Sequence, residues 1–395
     1  MPTTYYLSPS GNDAAAGSQA APWASLAKAQ SVLANGDTLL MQGGFRGSLK
    51  LQSKTGITLA PYGQGVIING TVELHECDNA TLSHITIDAT GAANGLLAVN
   101  NDRNSQHSGV VVDTVSVSGA SGVGILFQGN FRGWNNVKLA NCQVSNCGLA
   151  TWANNYGADG IHFESWAIAP DATHSPNTNI TVTGCKVWNV AGNGITFFCV
   201  DGGTVSGNEC WANHTQGFES SNINAITISG NKFHDQIGGP SDGAGIDLGW
   251  GAQNCIVQDN QCWGNNGSGI QINQQGQPRL NRGHIIRRNI LTFNGNGSPN
   301  GNQTEYGQFH VWGAASNIQF TGNVCIARPG TNKGKASCVR IHNGSQPNAT
   351  QFVTNLNITG NTLITYGGVP LYDLTPQALA GAKGLVTTPN TQASY

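Results

Sequence analysis

Between Gly157 and His342 one short phrase keeps returning: a small residue, an apolar one, a variable one, then an apolar one. It reads Gly160-Ile161-His162-Phe163-Glu164, Gly194-Ile195-Thr196-Phe197, Gly217-Phe218-Glu219-Ser220 and Gly245-Ile246-Asp247-Leu248. It continues as Gly269-Ile270-Gln271-Ile272-Asn273, Gln308-Phe309-His310-Val311-Trp312 and Cys338-Val339-Arg340-Ile341-His342. A period of two is the mark of a strand with one buried face, so the apolar residues point inward and those between them outward. If the copies stack, the outward residues form one column: His162, Thr196, Glu219, Asp247, Gln271, His310 and Arg340.

A second phrase sits between copies of the first. Val205-Ser206-Gly207-Asn208-Glu209-Cys210-Trp211 and Ile228-Ser229-Gly230-Asn231-Lys232-Phe233-His234 are two examples. It places Asn at 208, 231, 260, 289, 323 and 361, with Cys142 and Cys185 at the same point of earlier copies. Successive Asn are 23 to 38 residues apart, so the strands keep their pattern while the connections vary. That is the signature of a solenoid with insertions confined to loops. Asn is expected at a repeated bend in a left-handed conformation, its amide bonded to the Asn of the next coil.

Each coil then has three strands, one before the Asn, one after it and one in the Gly-Ile-x-apolar phrase. The expected fold is all-β, a single-domain right-handed parallel β-helix. Its parts are an N-terminal strand and capping helix over 1–50, the β-helix over 51–366 and a C-terminal cap or tail over 367–395. The capping helix is read over Trp23 to Leu33, with Ser25 as cap and Gly36 as stop. It would cover the open end of the strand stack. A short helix is expected from Thr375-Pro376 to Ala382.

Composition adds exclusions. A formal net charge of −2 offers no basic field for nucleic acid. No apolar run reaches the length of a membrane span. The start, Met1-Pro2-Thr3-Thr4-Tyr5-Tyr6, does not read as a signal peptide, and a secreted or periplasmic location is expected on the understanding that a leader has been removed. The 10 Cys fall mostly at inward positions, so they are read as stacked core thiols rather than as disulfides or a zinc site.

The coil pattern resembles the right-handed parallel β-helix of the pectate lyase and polygalacturonase superfamily, over most of the chain. Gly36-Asp37-Thr38-Leu39-Leu40-Met41-Gln42-Gly43-Gly44 is similar to the N-terminal cap of secreted β-helix lyases and glycosidases. The resemblance implies that the column strand lines a groove for a polysaccharide or oligosaccharide. Cys338-Val339-Arg340-Ile341-His342 is similar to the Arg-Ile-Lys strand of polygalacturonases, with His342 in place of the Lys. Ala158-Asp159-Gly160-Ile161-His162-Phe163-Glu164 resembles the calcium-Asp and Lys-base strand of a pectate lyase family, with Glu164 in place of the Lys. Tyr156, Asp159 and His162 are similar to the Tyr, Asp, His set of mannuronan epimerases and alginate lyases, at a spacing one residue different. No family's complete set is present.

The column itself offers acid–base chemistry. Stacked strands lie about 4.8 Å apart, so Glu219 and Asp247 at one register should approach the roughly 5 Å separation of a retaining glycosidase pair. Glu164 with Glu219 would suit the wider inverting separation. His162, His310 and His342 could relay protons or hold hydroxyls, and Arg340 is a further catalytic candidate. Tyr156, Asp159, Trp250, Gln271, Asn273, Trp312 and His342 are expected to bind substrate. Trp188, Trp211 and Trp263, with His234, are either platforms for sugar rings or braces of the solenoid. A glycoside hydrolase without a cofactor is favoured. The alternative is a lyase or epimerase acting on a uronate glycan, for which Asp159, Glu219 and Asp247 could hold Ca2+. The third reading is a non-catalytic glycan-binding β-helix.

Overall fold

The computed structural model describes residues 1–149, 158–167, 174–238, 243–274, 279–297, 305–330, 335–342, 353–374 and 384–395. They divide into two compact units, Met1–Ala191 and Gly192–Tyr395. Both are stacks of short parallel strands, and the fold class is the right-handed parallel β-helix. The α-helix found among the described residues is Leu26–Val32, capped by Ser25, whose side chain accepts from the Lys28 N–H. It is shorter than the expected span because Trp23 belongs to a bridge with Leu7, ahead of the cap. The expected helix at 375–382 lies outside the described residues.

In the first unit the strands of the 12-stranded sheet are Leu49–Gln52, Val72–His75, Leu96–Asn100, Ile125–Gly129 and Ile161–Ser165. Their outward register runs Lys50, Glu73, Leu97, Leu126, His162. In the second unit they are Ile195–Phe198, Phe218–Ser221, Ile246–Leu248, Ile270–Gln274, Glu305–Gly313, Lys335–His342 and Tyr372–Leu374. Each bonds in parallel to the next, so their inward apolar residues stack into the core: Phe197 meets Phe218 at 5.6 Å between ring centroids.

The small residue that opens each phrase has a steric cause. A Cβ on Gly194, Gly217 or Gly245 would lie 2.6, 2.7 and 2.7 Å from the carbonyl oxygen of the next coil, and would also strike a core side chain. Glycine here permits close stacking of coils rather than an unusual φ.

The Asn ladder holds the opposite side of the coil. Asn231 Oδ1 accepts both the backbone N–H and the Nδ2 of Asn208, each at 2.9 Å. The same double bond repeats through Asn260, Asn289, Asn323 and Asn361 to a further member, Asn390. The second amide hydrogen donates to a strand carbonyl, as Asn260 does to Ile228 at 2.9 Å. One expectation is corrected. The left-handed residue is the one before each Asn, namely Gly207, Gly230, Asp259, Arg288, Gly322 and Gly360. The bend is made there, and the Asn is left free to bridge coils.

A second ladder escaped the sequence reading. Asn213, Gln236, Asn265, Asn294 and Gln308 link N–H to side-chain oxygen at 3.0, 3.1, 3.3 and 3.0 Å. It fixes the corner that leads into the strands of the 12-stranded sheet, and its last member lies on the strand that carries His310. All ten cysteines are free and buried, as expected of core thiols.

Candidate active site

Thr196, Glu219, Asp247, Gln271, His310 and Arg340 occupy one register on successive strands of the second unit. The column goes one step further than the sequence indicated, to Asp373, which pairs with Arg340 in register. Its residues are not a solvated face. Exposure is 6% for Thr196, 1% for Asp247, 2% for Gln271 and 5% for His310 and Arg340. Polar groups taken out of water in this way need partners or a function.

Some partners are visible. Gln271 Nε2 donates to Asp247 Oδ2 at 3.2 Å, fixing the carboxylate. Asn193 Nδ2 donates to the Thr196 hydroxyl at 3.1 Å. Arg340 donates through Nη1 to Asp373 in an ion pair. His310 Nδ1 lies 3.4 Å from the Ser268 hydroxyl. Burial, and after it the positive charges of Arg340 and His342, push the His310 pKa down to about 3. This imidazole is therefore neutral at ordinary pH, which suits the second of its two expected roles, holding hydroxyls. Among the described residues, His310 Nε2 and Asn273 Oδ1 are buried without a hydrogen-bond partner.

Beside the column runs a second row. Asn273, Trp312 and His342 share one register, and the Trp312 ring lies parallel to His310 with centroids 6.5 Å apart. Trp250, two residues past its strand, is 37% exposed. The Trp211, His234 and Trp263 set is different. His234 stacks on Trp211 at 6.1 Å and on Trp263 at 4.1 Å, nearly parallel to both. This ring stack ties neighbouring coils together, in keeping with the bracing reading of the set.

The first unit brings Asp159, His162 and Glu164 together. His162 Nδ1 donates to Asp159 Oδ2 at 2.8 Å, and Nε2 lies 3.8 Å from Glu164 Oε2. Gln128 Nε2 in turn donates to Glu164 Oε1 at 2.6 Å. Burial lowers the His162 pKa, but the hydrogen bond to Asp159 and the charges of Asp159 and Glu164 outweigh it, and the net shift is upward. Tyr156 lies outside the described residues. Trp166, just past the strand and 52% exposed, was not singled out from the sequence. Nor was a separate cavity of about 350 Å³ lined by Glu76, Asp78, Asp102 and His107. Its lining comes from three separate stretches, 53–55, 76–78 and 101–107, with no motif to join them.

Among the described residues no group of three or more His, Cys, Asp or Glu is placed to hold a metal ion. No helix among the described residues is long and apolar enough to cross a membrane.

A sequence-family profile described as "Right handed beta helix region" matches residues 173–325. No curated protein matches the chain in sequence. Among solved structures, the chain is similar to the GH136 lacto-N-biosidase from Eubacterium ramulus. The TM-score there is 0.62 at 13% identity, covering 100% of this chain and 68% of that one. It is similar to a mannuronic acid specific polysaccharide family 6 lyase from human gut microbiota, with a TM-score of 0.59 at 12% identity over 99% and 87% of the two chains. The A-module of the Azotobacter vinelandii mannuronan C-5 epimerase AlgE4 gives 0.55 at 13% identity over 91% and 87%. These likenesses establish the fold.

Proposed function

We propose that this protein is a polysaccharide-degrading glycoside hydrolase whose working pair is Glu219 and Asp247. The observation that carries the reading is their direct register on adjacent outward positions, with Asp247 almost wholly removed from water. Adjacent strands lie about 4.8 Å apart, which fits the roughly 5 Å carboxyl separation at which one group serves as nucleophile and the other as acid, then base. Two carboxyl groups this close repel as anions, which favours one remaining protonated to act as the acid. Asn273 Oδ1 and His310 Nε2 provide an acceptor and a neutral imidazole nitrogen for sugar hydroxyls. Trp312 and Trp250 provide apolar faces for the rings. The neighbours in fold include a lacto-N-biosidase.

A second reading rests on the first unit. A histidine oriented by a buried Asp and flanked by Glu164 is a proton-transfer device, as β-elimination or epimerisation of a uronate requires. Incubation with a panel of neutral and acidic polysaccharides separates the two. Reducing ends without absorbance near 235 nm, unaffected by EDTA, are expected. Unsaturated product absorbing at 235 nm would replace the hydrolase with the lyase. Binding without any product would reduce the protein to a glycan-binding β-helix.

A further inference from the structure

Arg340 is the one arginine of the column, and it is 95% buried. A buried guanidinium on a sugar-facing strand would ordinarily be the natural seat for a sugar carboxylate, because its planar fork binds a carboxylate through charged hydrogen bonds. Here that seat is taken from within the chain. Asp373, one coil on at the same register, accepts from Arg340 Nη1. Asp373 is more exposed than its partner, at 36% against 6% for the two side chains. It is thus the more solvent-accessible member of the pair, beside the guanidinium on the next coil. Along the column itself the other charged residues are the carboxylates Glu219 and Asp247, and burial keeps His310 neutral, while the imidazole of His342 stands in the neighbouring row.

We propose that Asp373 is a specificity-determining residue that occupies Arg340 in place of a substrate carboxylate, so that the column accepts uncharged sugars and excludes uronates. The inference rests on the column being the glycan site. An acidic chain meets the carboxylates Glu219, Asp247 and Asp373 and finds the arginine already neutralised. A neutral chain meets hydroxyl partners and aromatic faces. Removing the Asp373 charge takes this carboxylate off the guanidinium and lets a carboxylated sugar compete for it.

The test is affinity electrophoresis at pH 7 through gels containing either a neutral polysaccharide panel (galactan, arabinan, β-glucan, mannan) or polygalacturonate and alginate. Wild-type protein is expected to be retarded by at least one neutral glycan and to run freely through both polyuronates. Asp373→Asn should gain polyuronate affinity by about tenfold, the scale of one charged hydrogen bond. The uncharged pair Arg340→Gln/Asp373→Asn should lose that gain, which separates charge from loosened packing. Wild-type retention by polyuronates alone overturns the assignment, as does a folded Asp373→Asn protein without the gain. The wild-type comparison decides the matter even if Asp373→Asn does not fold. Reducing-end release reports on the hydrolase reading separately. Polyuronate cleaved to saturated ends sinks the specificity claim and spares hydrolysis. Neutral-glycan retention without any reducing ends does the reverse.

Discussion

Asp247 and Glu219 face outward from neighbouring strands, yet Asp247 is shielded from water and held by the Gln271 amide. A carboxylate so placed for structure alone would be a costly choice. Asp247→Asn and Glu219→Gln should each lower kcat by about 10²- to 10⁴-fold, with melting temperature little changed. An unaltered kcat in either would remove that residue from the chemistry. His310 supplies a test by pH. Its folded pKa of about 3 lies below the ordinary 6.5, and burial sets buried His284 to about 3 as well. The unfolded chain therefore takes up protons below pH 6.5 that the folded chain refuses. Stability should fall as pH drops from 6.5 towards 3, by roughly 1 kcal/mol per pH unit for each histidine. Urea unfolding of His310→Gln between pH 4 and 7 should show a shallower slope than wild type, and an unchanged slope would contradict the buried neutral assignment.

At the scale of the element, the strands and the first ladder were readable because each repeats one residue type at one position. The phrase beginning with Gly marks where coils approach closely, and the alternation after it marks inside and outside. The second ladder was not readable, since Asn and Gln share its positions and the last member arrives from a different connection. Asp373 was missed for a related reason: its strand, Tyr372–Leu374, lacks the Gly-Ile opening and lies where the pattern fades. The burial of the column was equally hidden, because alternation gives the direction of a side chain and not what lies over it. The ladders are structural in this account. Asn260→Leu leaves the Asn231 amide and the Ile228 carbonyl without their partner, at about 1–3 kcal/mol for each buried group left unpaired. Its urea midpoint should drop sharply while the products formed by the surviving folded enzyme stay the same. Gly245→Ala should cost about 1–3 kcal/mol by overpacking against the next coil. A neutral result there would remove the steric explanation of the repeat.

For the whole molecule, stability comes from stacking without covalent staples. All ten thiols are free and buried, most of them pushed up by burial, Cys210 and Cys199 among them, the latter to about 12. Native protein should react negligibly with a thiol reagent, and the denatured chain should titrate ten thiols with or without prior reduction. Fewer thiols in the unreduced sample would show a disulfide and overturn this account of the core. A scaffold of this kind keeps its coil geometry while loops vary, which is how one fold carries hydrolysis, elimination and epimerisation in different proteins. The pairing of Glu219 with Asp247 makes a stereochemical commitment that can be read directly. Proton NMR of the first sugar released from a cleaved glycan, recorded before mutarotation, should show the anomeric configuration of the broken bond retained. Inverted configuration, or an unsaturated product in its place, would contradict the assignment of Glu219 and Asp247 as the catalytic pair.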